Sequence, residues 1–203
     1  MHFVCVSASN IRHAKDNGTS RTPSRMRPCL RLVLLVATLL PGLRENHPRL
    51  LDALNNYERN AVTSDGGEFY PGTIDGIIRL VNDYRVFLVS NCQEWYLDLF
   101  LHFSRLGSLF SGVDCYGMSG LPKGEMLLRM KRDHSLRNAA YVGDTASDGK
   151  AAILAGIAFV YAAWGFGKPE GKPNTVHSFP QFLDHIEGKA DKNVATKRCG
   201  YQR

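Results

Sequence analysis

From about residue 70 onward, short runs that are apolar at nearly every position alternate with longer stretches of helical periodicity. The runs 86–90, 113–116, 139–143 and 157–162 predict strands, and the stretches 73–82, 93–106, 122–132, 148–155 and 178–187 predict helices. Strands without polar alternation are buried on both faces, so this order predicts an α/β fold: a mostly parallel sheet with helices on either side. Upstream the pattern is different. Helices are expected at 29–40 and 46–58, forming or abutting a cap, and a turn at 64–72. Residues 1–28 read as a leader, since 10–31 are rich in Arg, Ser, Thr and Pro with little periodicity. The expected organisation is therefore a leader over 1–28, a helical cap-like segment over 29–69, an α/β core over 70–188 and a disordered tail over 189–203.

Composition changes this picture only at the amino-terminal end. The chain has 203 residues, 44% hydrophobic and 22% charged, which suits a globular protein with a substantial core. Its net charge of +6 is carried by residues 1–50, where eight basic residues face only Asp16 and Glu45. The remainder is near neutral and shows no basic sheet or recognition helix, so nucleic acid is not an expected partner. The apolar run 30–40 resembles a signal-peptide core, but it contains Arg31 and is too short for a bilayer, so it reads as a buried cap helix without stable membrane insertion. Five scattered cysteines with no Cys-x-x-Cys point to a reduced, cytoplasmic setting. His102, His134 and His185 lack a second ligand at metal spacing, and Trp95 and Tyr96 read as helix residues packed on the sheet.

Candidate chemistry gathers at the strand ends. The strand at 139–143 empties into Gly143-Asp144-Thr145, and Asp148 follows. Two carboxylates four residues apart at a strand's carboxyl end suggest a Mg²⁺ site, because ligands of open α/β sheets bind there. The simpler reading makes Gly-Asp-Thr a turn and Asp148 a helix N-cap. Ser90 ends the strand 86–90 and is followed by Asn91. Lys123 falls in the first turn of a helix opened by Pro122, where its charge opposes the helix dipole and calls for a nearby anion.

In this order the chain resembles the haloacid dehalogenase (HAD) superfamily, and within it the phosphoglycolate-phosphatase-like hydrolases. Ser90 matches the family's second motif, Lys123 the third, and Gly143-Asp144-Thr145 with Asp148 the fourth; Tyr70-Pro71-Gly72-Thr73 resembles the approach to the second. The resemblance covers roughly residues 57–187. It implies a HAD-like, Rossmannoid fold with a reduced or incomplete helical cap. It also implies Mg²⁺-dependent hydrolysis of a small phosphorylated metabolite through an aspartyl-phosphate. In such a site Ser90, Asn91 and Lys123 bind phosphate, Ser90, Lys123 and Asp148 are the catalytic set, and Asp144 with Asp148 holds Mg²⁺. Protein atoms there mainly position groups and stabilise charge.

The nucleophile of that chemistry belongs to a first motif, an apolar strand followed by Asp-x-Asp-Gly-Thr, which this sequence does not contain. The strand-like run 3–9 carries Ser7 and Ser9 where the two aspartates would fall; Asp16-Asn17-Gly18-Thr19 is one acid short and lacks a strand; Ser64-Asp65-Gly66-Gly67 reads as a turn. Either serines replace both aspartates, or residues 1 to about 44 are foreign to the fold through a truncated or shifted reading frame. Two alternatives to a phosphatase remain open: a catalytically inactive module that binds phosphate or a protein, and a dehalogenase.

Overall fold

A computed structural model describes residues 2–6, 11–12, 46–65 and 68–188. Ser7, Ser9, Asp16, the segment 29–40 and the tail 189–203 lie outside the described residues. In chain order the elements are β1 (His2–Val6), β2 (Ile11–Arg12), α1 (Pro48–Asp65), β3 (Glu68–Phe69), α2 (Thr73–Leu80), β4 (Tyr84–Ser90) and α3 (Glu94–Ser104). They continue as β5 (Phe110–Cys115), α4 (Tyr116–Ser119), α5 (Lys123–Asp133), β6 (Asn138–Gly143), α6 (Ala146–Ala155), β7 (Ala158–Ala162), β8 (Asn174–Val176) and α7 (Phe179–Ile186).

Six strands form one sheet in the order β5-β4-β1-β6-β7-β8, every neighbouring pair parallel. The expected mostly parallel sheet is thus present, and its centre is β1. His2 to Val6 run alongside Tyr84 to Leu88 on one side and Asn138 to Val142 on the other, so a strand within the expected leader lies at the middle of the core. From β1 the chain builds outward through β4 and β5, then crosses back to lay β6, β7 and β8 on the other side. Open α/β sheets bind their ligands at such a reversal, outside the carboxyl ends of the central strands.

Alternation within the strands explains the two helical layers. On one face Phe87, Val89 and Tyr141 pack against Met126, Leu127 and Met130 of α5 and the small residues Ala151, Ala152 and Ala155 of α6. On the other, Val6, Val86, Val142, Val160 and Val176 receive Ile77 and Leu80 of α2 and Phe179, Phe182 and Leu183 of α7. Leu88 and Cys115 face α3 through Leu97 and Phe100, and α1 adds Val62 to that cluster.

Several boundaries differ from expectation for identifiable reasons. Helix α1 continues to Asp65, past the expected end at 58, and the Thr63 and Ser64 hydroxyls donate to the carbonyls of Arg59 and Asn60 one turn back. Asp65 therefore ends a helix rather than forming a turn. Strand β5 begins at Phe110, three residues before the expected start, with a register shift against β4 between Val86 and Phe87. Strand β8, Asn-Thr-Val, carries no apolar run and is invisible to periodicity. Among the described residues no helix is long and apolar enough to cross a membrane.

Candidate active site

The groups expected to carry chemistry sit at the carboxyl end of the sheet, each placed by a local structural rule. Ser90 is the final residue of β4, and Asp144 follows the final residue of β6 directly; β1 runs between those two strands. Lys123 opens α5, with Pro122 as the preceding cap residue. Asp148 lies in the first turn of α6.

Asp148 is the hub. Its Oδ1 accepts from Lys123 Nζ at 2.5 Å and from the Tyr141 hydroxyl at 3.1 Å. Its Oδ2 accepts from the backbone N–H groups of Asp144 (3.1 Å) and Thr145 (3.0 Å) and from Thr145 Oγ1 (2.7 Å). The N-cap of α6 is Thr145, whose Oγ1 also accepts from Asp148 N–H, completing a capping box in which Asp148 is the third helical residue. The simpler alternative, Asp148 as the N-cap, is therefore corrected: Thr145 caps the helix and Asp148 closes the box. Five donors on two oxygens use the accepting capacity of a carboxylate. Burial pulls the Asp148 carboxyl upward, but the charge and hydrogen bond of Lys123, joined by the Thr145 hydrogen bonds, outweigh it and leave the group below its ordinary range. Lys123, misplaced by the helix dipole alone, is held by this buried anion. Gly143 makes the hub possible, since a Cβ there would stand 2.6 Å from Asp148 Cβ.

Asp144 is buried and faces a different partner. Its Oδ2 accepts from Phe166 N–H at 2.8 Å, and the glycine-rich loop after β7 lies against it. A Cβ on Gly165 would collide with Asp144 Cβ and its carboxylate, so only glycine lets the loop approach this closely. Tyr161 anchors the same loop by donating to the Gly167 carbonyl at 2.9 Å. Its phenol is pushed upward by burial and, secondarily, by the charge of Asp144. Ser90 is also buried, and its Oγ accepts from Cys92 N–H at 3.3 Å. Asn91 is half-buried in the bend that follows.

Lys123, Asp148, Thr145 and Asp144 thus form one bonded network, while Ser90 and Asn91 stand across β1 from it. Sequence reasoning missed Tyr141, which reads as one more apolar strand residue, and the Phe166 N–H, which has no side-chain signature. Among the described residues no group of three or more His, Cys, Asp or Glu could hold a metal ion. Of the two acids expected to hold Mg²⁺, Asp148 has both oxygens engaged by protein donors and Asp144 accepts from Phe166 N–H at Oδ2; that ion accepts one or two carboxylates with water and phosphate oxygens for the rest.

No family model matches the chain, and no curated protein does. Solved structures match well. A haloacid dehalogenase-like hydrolase from Streptococcus pneumoniae superposes with a TM-score of 0.64 at 17% identity, over 90% of this chain and 97% of that one. A predicted phosphoglycolate phosphatase from Haemophilus somnus gives 0.53 at 22% identity, over 61% of this chain and 58% of that one. D,D-heptose 1,7-bisphosphate phosphatase from B. bronchiseptica, solved with magnesium and phosphate, gives 0.53 at 15% identity over 93% and 99%. The order of parallel strands, the switch at β1 and these likenesses agree: the chain has the haloacid dehalogenase-like fold.

Proposed function

We propose that the crevice beside β1 is a phosphatase-type site of the HAD-like hydrolases that binds the phosphoryl group of a small phosphorylated metabolite in the cytoplasm, with hydrolysis lost for want of an aspartate nucleophile. The observation that carries this reading is Lys123, presented at the mouth of a parallel sheet by a buried carboxylate at 2.5 Å. A lysine fixed so firmly is a positioned charge rather than a solvated one. Ser90 and the Asn91 backbone supply hydrogen bonds to phosphate oxygens from the neighbouring strand, and Lys123 supplies the cation. Asp148 acts as the positioning group for Lys123 and for the 143–145 turn, its oxygens being occupied by five donors. The metal role expected for both acids falls to Asp144 alone. When bound there, Mg²⁺ supplies positive charge beside the phosphate. That charge matters, because one ammonium set against two carboxylates leaves the described cluster net negative and unwelcoming to a dianion.

Titration calorimetry with inorganic phosphate, with and without Mg²⁺, tests this reading. Phosphate binding should strengthen on adding Mg²⁺, Mg²⁺ alone should bind no tighter than millimolar, and Asp144→Asn should remove the enhancement. Tight metal binding without phosphate, or phosphate binding indifferent to both Mg²⁺ and Asp144→Asn, overturns it. Inactivity is favoured over a working phosphatase by the sequence itself, in which no Asp-x-Asp follows the central strand.

A further inference from the structure

Two thiols outside the network around Asp148 meet at the carboxyl ends of adjacent strands. Cys115 is the last residue of β5 and pairs in register with Ser90, the last residue of β4. Two positions beyond Ser90 stands Cys92, whose N–H donates to Ser90 Oγ at 3.3 Å and whose carbonyl accepts from Gly117 N–H at 3.0 Å. These bonds fold the turn 91–93 over the end of β5. The approach is close enough that a Cβ on Gly117 would stand 2.8 Å from Gln93 Cα. Cys92 and Cys115 consequently share one buried cluster with Leu88, Leu97 and Phe100, and neither is in a disulfide. The Cys92 side chain hydrogen-bonds the Cys115 sulfur; with backbone N–H groups of Met118 and Gly117 this outweighs burial and the Asp114 charge, holding Cys115 below the ordinary thiol range.

We propose that Cys92 and Cys115 are a peroxide-sensitive pair that closes to a disulfide and clamps the turn 91–93 to the end of β5. Cys92 keeps 7% exposure and Cys115 none, so a small oxidant meets Cys92 first. Its sulfur attacks one peroxide oxygen: an S–O bond forms, the O–O bond breaks, and the departing hydroxide takes the thiol proton to leave as water. The Cys115 thiolate then attacks the sulfenic sulfur; an S–S bond forms, the S–O bond breaks, and a second water leaves with the Cys115 proton. Two thiols lose two electrons and the peroxide is reduced to two waters. The clamped turn is the one that carries Asn91 and bonds Ser90 Oγ, so the modification lies directly beside the candidate phosphate groups.

Mapping the full-length chain decides the matter without reference to catalysis. After hydrogen peroxide treatment, alkylation and non-reducing digestion, mass spectrometry should recover a linked peptide joining Cys92 to Cys115. It should be two hydrogens lighter than its separate parts and be lost on reduction, and amide exchange over 91–93 should slow in the oxidised protein. In Cys115→Ser, with the second thiol gone, a dimedone adduct at Cys92 should rise severalfold above wild type. Recovery of Cys92 and Cys115 as separately alkylated thiols, at a peroxide dose that oxidises free glutathione, overturns the proposal. Passage of wild-type Cys92 to the sulfinic acid without a link, or pairing of either thiol with Cys5, Cys29 or Cys199, does so too.

Discussion

Within one carboxylate, Asp148 joins an ammonium, a phenol, a hydroxyl and two backbone N–H groups, and its energetics follow from burial. Removing one partner of a buried pair strands the other, which typically costs about 3–5 kcal/mol. Asp148→Asn should therefore lower stability by that order in denaturant unfolding at neutral pH. The native carboxyl lies below its ordinary 3.8, so its stabilising contribution is complete above that value and disappears as pH falls through the lower native pKa. Wild type and variant should accordingly converge on acidification below about pH 4. A gap that persists unchanged at low pH would show that the asparagine fails for steric rather than electrostatic reasons. At this scale the sequence was legible where a residue violated a local rule: Lys123 at a helix start demanded an anion, and the anion is Asp148. Tyr141 and the Phe166 N–H broke no such rule. Their roles depend on which residues the sheet brings opposite them.

Among the elements, β1 shows how a short strand can govern a whole sheet. It pairs on both sides, and without it β4 and β6 would each face the centre with an unpaired edge. A chain lacking residues 1–6 should thus fail to give a cooperative unfolding transition. Trimming that leaves a cooperative transition and native far-ultraviolet circular dichroism would mean that β1 is dispensable. The strands β4, β6 and β7 were readable because their carboxyl-terminal halves form continuous buried, mostly apolar runs, as a sheet covered by helices requires, whereas β5, with Ser111, Gly112 and Asp114, was legible only at its end. The place of β1 was less readable. Its run is flanked downstream by a polar, Arg-rich stretch, and position within a sheet depends on long-range pairing that periodicity does not encode. Strand β8 escaped for the opposite reason, being paired on one side by only three residues, two of them polar.

On the function proposed above, fold and chemistry part company in the molecule as a whole. The parallel sheet and the switch at β1 are those of the HAD-like fold, and Lys123 meets Asp148 at the carboxyl end of that sheet, while the sequence after the central strand lacks the aspartate that would make a phosphoenzyme. A serine phosphate does not offer the acyl-phosphate's ready hydrolysis, so Ser7 is no substitute for that group. Turnover of p-nitrophenyl phosphate with Mg²⁺ separates frame from chemistry most directly, measured for the purified wild type, for Ser7→Asp combined with Ser9→Asp, and for that variant carrying Asp144→Asn. The expected result is no hydrolysis above background in the wild type, activity in the double-aspartate variant, and its loss again with Asp144→Asn. Wild-type turnover that vanishes on Asp144→Asn would contradict it, because the chain would then hold a working nucleophile.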